Sequence, residues 1–409
     1  MEVELTETQR LIRETARAFA GDRVAPGARL RDREELFPEE LYREMGQLGL
    51  LGVDLPPELG GAGAGAVAYS LALAEIAGAC ASTAVGMAVT HMVAELIARA
   101  GDEQQRKRFV PKLASGGAVC GSFALSEPHS GSDAAALRTT AQRRGDRWVL
   151  NGSKQWVTSG AHAGVLVVLA RTAGSGTKGI SCFVVEKDTP GLVPGRPEDK
   201  MGLRGSKTVP LVFENCEIPA ENLLGREGEG FRIALVGLDG GRIGIASQAV
   251  GVARAALEAS IRYARERDAF GKPIGSFQAI QLHLANMKTE LDAAELLTLR
   301  AAFRKERGLP FTKEASMAKL FATEMAQRVC DKAVQIHGGY GYIDEFPVER
   351  YLRDVRVQTL YEGTSEIQRF VIAREILQER RGSAAASSGT CRAGLANPAA
   401  KITSPNAGG

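Results

Sequence analysis

The stretch RWVLNGSKQWVTSG, Arg147 to Gly160, decides what kind of fold this chain adopts. Two short runs of β-branched and aromatic residues flank Asn151-Gly152, the dipeptide that most favours a two-residue type I′ hairpin turn. The runs GVLVVLAR (164–171), ISCFVVEKD (180–188) and VPLVFENCEI (209–218) continue the texture. They read as strands of about five to eight residues, set apart by Gly, Pro and Asp. The block from 118 to 225 is therefore expected to be an all-β domain.

On either side the period is helical. Thr6 and Gln9 form a capping-box pattern ahead of Leu11, Ile12, Ala16 and Phe19 at helical spacing. FPEELYREMGQLGLLG (37–52) repeats the pattern and stops at glycine, and 66–100 is rich in alanine, as a helix buried on several sides would be. Beyond REGEGF (226–231), GIASQAVGVARAALEASIRYARERDAF (244–270) carries a long apolar stripe, and two further helical stretches run to Arg381. The order α, β, α predicts three consecutive domains, 1–117, 118–225 and 226–381, rather than a wound βαβ sheet. The last segment, 382–409, is rich in Ala, Ser, Gly and Pro without periodicity and is expected to stay disordered.

Composition excludes several function classes. The 409 residues are 44% apolar and 24% charged, with a net charge of +3, too weak and too evenly spread for a nucleic-acid or membrane-surface partner. No apolar run is expected to reach the roughly 20 residues of a membrane helix. The opening MEVELTETQR has no apolar core, so neither a signal nor a transit peptide is expected. Cys80, Cys120, Cys182, Cys216, Cys330 and Cys391 are scattered without metal-ligand spacing, which fits free thiols in a reducing cytoplasm.

Familiar site motifs are missing. ELGGAGAG (58–65) lacks both dinucleotide and P-loop spacing, and none of the five histidines pairs with a glutamate at zincin spacing. There is no GxSxG elbow. Three other segments combine usefully. FALSEPHSGSD (123–133) gathers hydroxyls, glycine and two acids, QWVTSG (155–160) sets Trp156 two residues before Thr158, and QIHGGYGY (335–342) exposes backbone N–H groups. Glycines allow close approach, hydroxyls and amides bind phosphate or a polar ring edge, and tryptophan offers a stacking face. Together they point to a large planar ligand with a phosphate chain. Glu362 sits in RVQTLYEGTSEIQRF (356–370) at what reads as a turn into a helix, with Asp354 upstream and Glu366 downstream as the other acids nearby.

The chain resembles the acyl-CoA dehydrogenases, and the short-chain, butyryl-CoA type most. The resemblance runs from about residue 3 to Arg381 and rests on FALSEPHSGSD, KQWVTSG, MGLRGSKT, LDGGRIGIASQAVG, RDAFGKPIGSFQ, QIHGGYGY and YEGTSEIQR in order. It implies a mainly α fold with a central β domain: an N-terminal helical domain, a small β-barrel or sandwich, and a C-terminal four-helix bundle. It also implies FAD, an acyl-CoA substrate, an electron-transfer flavoprotein as acceptor and a homotetramer whose neighbouring subunit completes each flavin site.

By the same resemblance Phe123, Leu125, Ser126, Gly131, Ser132, Trp156, Val157 and Thr158 would hold the flavin ring. The Ser126 and Thr158 hydroxyls would face its polar edge. Arg267, Phe270, Gln278, Gln335, Gly338 and Gly339 would meet the FAD of a partner subunit, and Thr364 and Glu366 the adenosine phosphates. Ser132, Asp239, Arg242, Gly363 and Arg374 would line the CoA channel. Glu362 matches the base that takes the α proton, its backbone N–H helping to polarise the thioester carbonyl. The alternative base position of other branches matches Gly241, which has no side chain to act with. A base here needs a dry cavity that raises its pKa. Met87, Thr90 and His91 are candidates for the acyl pocket. Rival readings are an acyl-carrier-protein or oxidase variant with the same base, and a non-catalytic nucleic-acid-associated relative.

Overall fold

Helix α1 (Glu7–Phe19) begins at the predicted capping box, with Thr6 Oγ1 accepting from the Gln9 N–H at 3.2 Å and Gln9 Oε1 accepting from the Thr6 N–H at 3.0 Å. The computed structural model describes residues 4–390, with side chains as far as 378. Helices α2 (Ala28–Arg33) and α3 (Glu39–Gln47) follow, and the chain leaves α3 through the left-handed Gly49. The alanine-rich segment is two helices, α4 (Gly65–Ala79) and α5 (Ala81–Ala100), broken where Cys80 is extended. Both lack a polar stripe and are buried nearly all round. Contrary to the expectation from apolar runs, α5 is long and apolar enough to cross a membrane. It is instead a core helix, 89% of its apolar window being buried within the protein. Helix α6 (Glu103–Ala114) starts at a second capping box, Asp102 with Gln105.

The β elements lie between Gly121 and Leu224. They are β1 (Gly121–Ala124), β2 (Thr140–Arg144), β3 (Arg147–Thr158), β4 (Val165–Arg171), β5 (Ile180–Glu186), β6 (Leu192–Pro194), β7 (Thr208–Pro219) and β8 (Leu223–Leu224). The eight strands form one sheet in the order β6-β7-β3-β2-β4-β5-β8, with β1 parallel alongside β4. Asn151-Gly152 is not the predicted hairpin turn. Strand β3 runs straight through it, and the chain reverses instead at Gly145-Asp146, where Arg144 pairs with Arg147. At Asn151 the register against β7 slips, and Asn151 Oδ1 accepts the Asn215 N–H at 2.8 Å. Gly152, at φ +140°, leaves no room for a Cβ, which would lie 2.7 Å from Thr139 Cα. The freedom that lets Asn-Gly turn a hairpin here serves a bulge, because β7 is present to pair with both sides.

Helix α7 (Gly230–Glu266) opens the last part, followed by a short hairpin of β9 (Asp268–Ala269) and β10 (Lys272–Pro273). Then come α8 (Gln278–Glu306), α9 (Thr312–His337), α10 (Val348–Val355) and α11 (Ser365–Thr390). Helix α7 packs on α8 and α9 and, on its other side, on α4 and α5, so the two helical sets share one core that includes Leu73, Ala246, Val250, Ala318 and Ala322. Helix α11 is described as far as Thr390, and residues 391–409 of the segment expected to be disordered lie outside the described residues.

Candidate active site

The turn between α10 and α11 carries Glu362 in a conformation that side chains avoid. Glu362 has φ +54° and Gly363 φ +89°, two left-handed residues in succession. Glycine adopts that region freely, whereas a glutamate there is strained and needs support from its surroundings. The Gln368 amide supplies part of it, donating to the carbonyls of Glu362 at 3.1 Å and Gly363 at 3.0 Å. Lys319, fully buried on α9, donates to the Gly363 carbonyl at 2.7 Å. Tyr361 donates to Gln248 Oε1 on α7 at 2.5 Å, and Gln248 donates in turn to the Ala81 carbonyl at 2.8 Å. Helices α5, α7, α9 and α11 thus fix one turn.

The Glu362 carboxyl points against α7. Its Oε2 is shielded from solvent and has no hydrogen-bond partner. A Cβ built on Gly241 would stand 2.7 Å from that oxygen and 3.2 Å from Met92 Sδ. Burial pushes the carboxyl up to about 7, against the opposing pull of Arg242 and Lys319. Arg242 is itself buried, paired with Asp239 and 3.4 Å from Ser316 Oγ, and Thr312 donates to Asp239 at 2.6 Å. Among the described residues nothing accepts the Glu362 backbone N–H. A half-buried acid with one oxygen shielded, poised near neutrality and with no acceptor on its own backbone N–H, is equipped to take a proton from carbon and to receive the oxygen charge that follows.

The β side is organised around one buried ion pair. Lys154, fully buried on β3, meets Glu127 at 2.8 Å and the Leu125 carbonyl at 3.1 Å, and Glu127 also accepts the N–H groups of Arg138 and Thr139 at 2.6 and 2.9 Å. With the Gln155 N–H on the Ser126 carbonyl at 2.8 Å, this fastens 123–133 to 154–158. Just beyond, the β3–β7 register slips again and Trp156 takes φ +61°, presenting an indole that is 62% exposed. Phe123, Leu125, Ser126 and Thr158 are half-buried beside it, Val157 is buried, and Gly131 and Ser132 are exposed.

A second group gathers elsewhere. Arg267, Gly338 and Gly339 line a cleft of about 520 Å³ with Tyr263, His337 and Tyr340. The Arg267 guanidinium lies 5.4 Å from the Tyr340 ring centre. Phe270, Gln278 and Gln335 do not line this cleft, and Phe270 is 96% exposed. Thr364 is half-buried at the α11 entrance, while Glu366 and Arg374 are exposed, the latter against Glu375. Met87, Thr90 and His91 are buried on α5. His91 is a satisfied core histidine, 2.6 Å from Asp54 and stacked on Tyr69, and the Thr90 hydroxyl is taken up by Gly86 and Gly121. Lys154, Lys319 and Gln368 escaped the sequence reading. For Lys319 the available signal was a lysine set within an otherwise apolar helix stripe, whereas Lys154, between Ser153 and Gln155, carried none.

Comparisons with known proteins identify the family. The family models for the N-terminal, middle and C-terminal domains of acyl-CoA dehydrogenase match residues 6–117, 122–216 and 228–377. The mitochondrial short-chain specific acyl-CoA dehydrogenase of Mus musculus is 51% identical over 381 residues, covering 93% of this chain and 92% of its own. The solved butyryl-CoA dehydrogenase of Megasphaera elsdenii superposes with a TM-score of 0.90 at 41% identity, covering 92% of this chain and all of that one. A chain solved in work on the electron transferring flavoprotein of Acidaminococcus fermentans gives 0.91 at 43% identity, with the same coverage. This chain belongs to the acyl-CoA dehydrogenase family and is an oxidoreductase.

Proposed function

We propose that the protein removes hydrogen from the α and β carbons of a short- or medium-chain acyl-CoA, leaving a trans-2-enoyl-CoA, with FAD as cofactor and Glu362 as base. The observation that carries this reading is the Glu362 carboxyl, whose Oε2 is shielded and unpartnered and which burial pushes up to about 7. The residues present fit FAD. An exposed indole at Trp156, half-buried hydroxyls at Ser126 and Thr158, and a separate cleft holding Arg267, Gly338 and Gly339 answer to its ring and its phosphates. When bound, FAD supplies the acceptor for the hydride that leaves the β carbon.

The rest is done by the chain itself. Glu362 takes the α proton, which a carboxylate in a water-free setting does without competition from solvent. Its free N–H receives charge developing on the thioester oxygen. Arg242, held by Asp239, together with Ser132, Gly363 and Arg374, is assigned to CoA. The exposed Phe270 and Tyr342, 96% and 87% accessible, support a homotetramer in which Arg267, Phe270, Gln278 and Gln335 meet a neighbour's cofactor. The free, buried cysteines among the described residues fit a reducing compartment. An electron-transfer flavoprotein is the proposed acceptor.

Anaerobic titration with straight acyl-CoAs from about C4 to C12 and with branched C4–C5 thioesters tests the reading. Wild-type flavin should bleach with the shorter thioesters, whereas Glu362→Gln should keep the flavin, bind thioester and fail to bleach. Bleaching of Glu362→Gln at the wild-type rate would remove Glu362 from the reaction. Reoxidation by O2 as fast as by the flavoprotein would favour an oxidase.

A further inference from the structure

We propose that Lys319 is a positioning residue for the Glu362 turn: its buried ammonium pins the Gly363 carbonyl and keeps a positive charge beside the base that favours the ionised carboxylate. The inference rests on the proposed role of Glu362.

Lys319 lies on the buried stripe of α9 among Ala315, Ala318, Ala322, Met325 and Ala326. Its single hydrogen bond among the described residues is to the neutral Gly363 carbonyl at 2.7 Å, and no carboxylate there lies within ion-pair distance. A buried ammonium without a paired acid is costly, and packing alone would be served by an apolar side chain. The acid whose charge most offsets that cost is Glu362, one residue before the carbonyl that Lys319 holds. The relationship is reciprocal, since Lys319 and Arg242 are the two charges that oppose the rise at Glu362.

The two cations are not equivalent. Arg242 is already committed to Asp239, also feels Arg374, and its Nε has no partner. Lys319 has no such acid and is itself lowered to about 8, chiefly by burial, with Arg242 pushing the same way and Glu362, Glu366 and Glu324 opposing. The phenols of Tyr69 and Tyr361 also face Glu362 and are raised well above their ordinary range by burial, so they stay neutral. Lys319 is therefore the uncommitted charge of the group. Its hydrogen bond also restrains the second of the two left-handed residues, so one side chain sets both where the carboxyl points and how readily it ionises.

The test compares Lys319→Gln, which retains a donor without charge, with Lys319→Arg, which retains both. Glu362 is followed by infrared titration of the carboxylic-acid band that disappears in Glu362→Gln, and in parallel by the pH profile of kcat/KM. Lys319→Gln should move the Glu362 midpoint upward by about one pH unit or more. Its activity loss should then be at least tenfold on the acid side and shrink toward alkaline pH, and Lys319→Arg should restore the wild-type midpoint. An unmoved midpoint in Lys319→Gln with a uniform loss across pH overturns the proposal. So does failure of both Lys319→Gln and Lys319→Met to fold, which would make Lys319 a structural anchor. Wild-type protein whose flavin bleaches with no acyl-CoA would instead take away the proposed function.

Discussion

Gly241 lies so close to Glu362 that a Cβ on the glycine would stand 2.7 Å from the carboxyl Oε2 and 3.3 Å from Cδ. The missing side chain on α7 is the space the acid occupies, and the two positions exclude each other. Gly241→Ala should therefore act on chemistry more than on folding. The obstructing atoms end a flexible side chain that can swing away, and alanine improves a helix interior by up to about 1 kcal/mol. A base displaced by about 1 Å costs roughly a hundredfold in rate. We expect the reductive half-reaction of Gly241→Ala, measured by rapid mixing, to slow by roughly that factor with the melting temperature unchanged or raised. A wild-type rate would show that the carboxyl acts from elsewhere.

The acid limb of kcat/KM should follow Glu362. Its carboxyl is raised from the ordinary carboxylate range to about 7, so at pH 6 most of it is protonated and unable to take a proton. Activity should fall about tenfold per pH unit below that midpoint and level off above it. A profile flat from pH 5 to 8 would mean that another group limits the rate or that the carboxyl is solvated.

The three-part order of the fold was legible because period is local: the α1 capping box, the β runs and the α7 stripe each declare themselves over a dozen residues. Asn151-Gly152 misled because a turn and a bulge ask for the same backbone freedom, and only the presence of β7 across the ladder separates them. Glu362 could be marked from its motif, yet its environment is contributed by residues far away in sequence: Gly241 leaves room for the carboxyl, and Arg242 and Lys319 oppose the rise that burial causes. Burial that creates a pKa is a property of packing, and a buried lysine such as Lys154 reads in sequence like any solvated one.

Breaking the Lys154–Glu127 pair should loosen the Trp156 platform. Glu127→Gln leaves a fully buried ammonium without its counter-charge, and removing one partner of such a pair costs about 3–5 kcal/mol. The Lys154 amine is already lowered to about 8 by burial, and without Glu127 it falls further and sheds its proton sooner. The destabilisation of Glu127→Gln, measured by thermal melting, should therefore shrink as pH rises from 6 to 9, and flavin retention should recover in parallel. A pH-independent loss would assign the damage to the Arg138 and Thr139 N–H bonds instead.

Asp354 offers the opposite sign. It is buried on α10, accepts the Leu203 N–H at 2.6 Å, and is raised to about 7, chiefly by burial, with Asp32 adding to the rise. The folded state thus holds this proton more tightly than the unfolded chain does, so the group's contribution is full below the ordinary carboxylate range. It declines as pH rises toward 7, above which the folded protein carries a buried charge. Asp354→Asn keeps an acceptor for Leu203 without that charge. Its melting temperature should exceed the wild type's at pH 8 by about 1 °C for each kcal/mol recovered in a chain of this length, and the difference should vanish or reverse near pH 5. Equal melting curves at both pH values would show that Asp354 ionises in the fold as freely as it does in water.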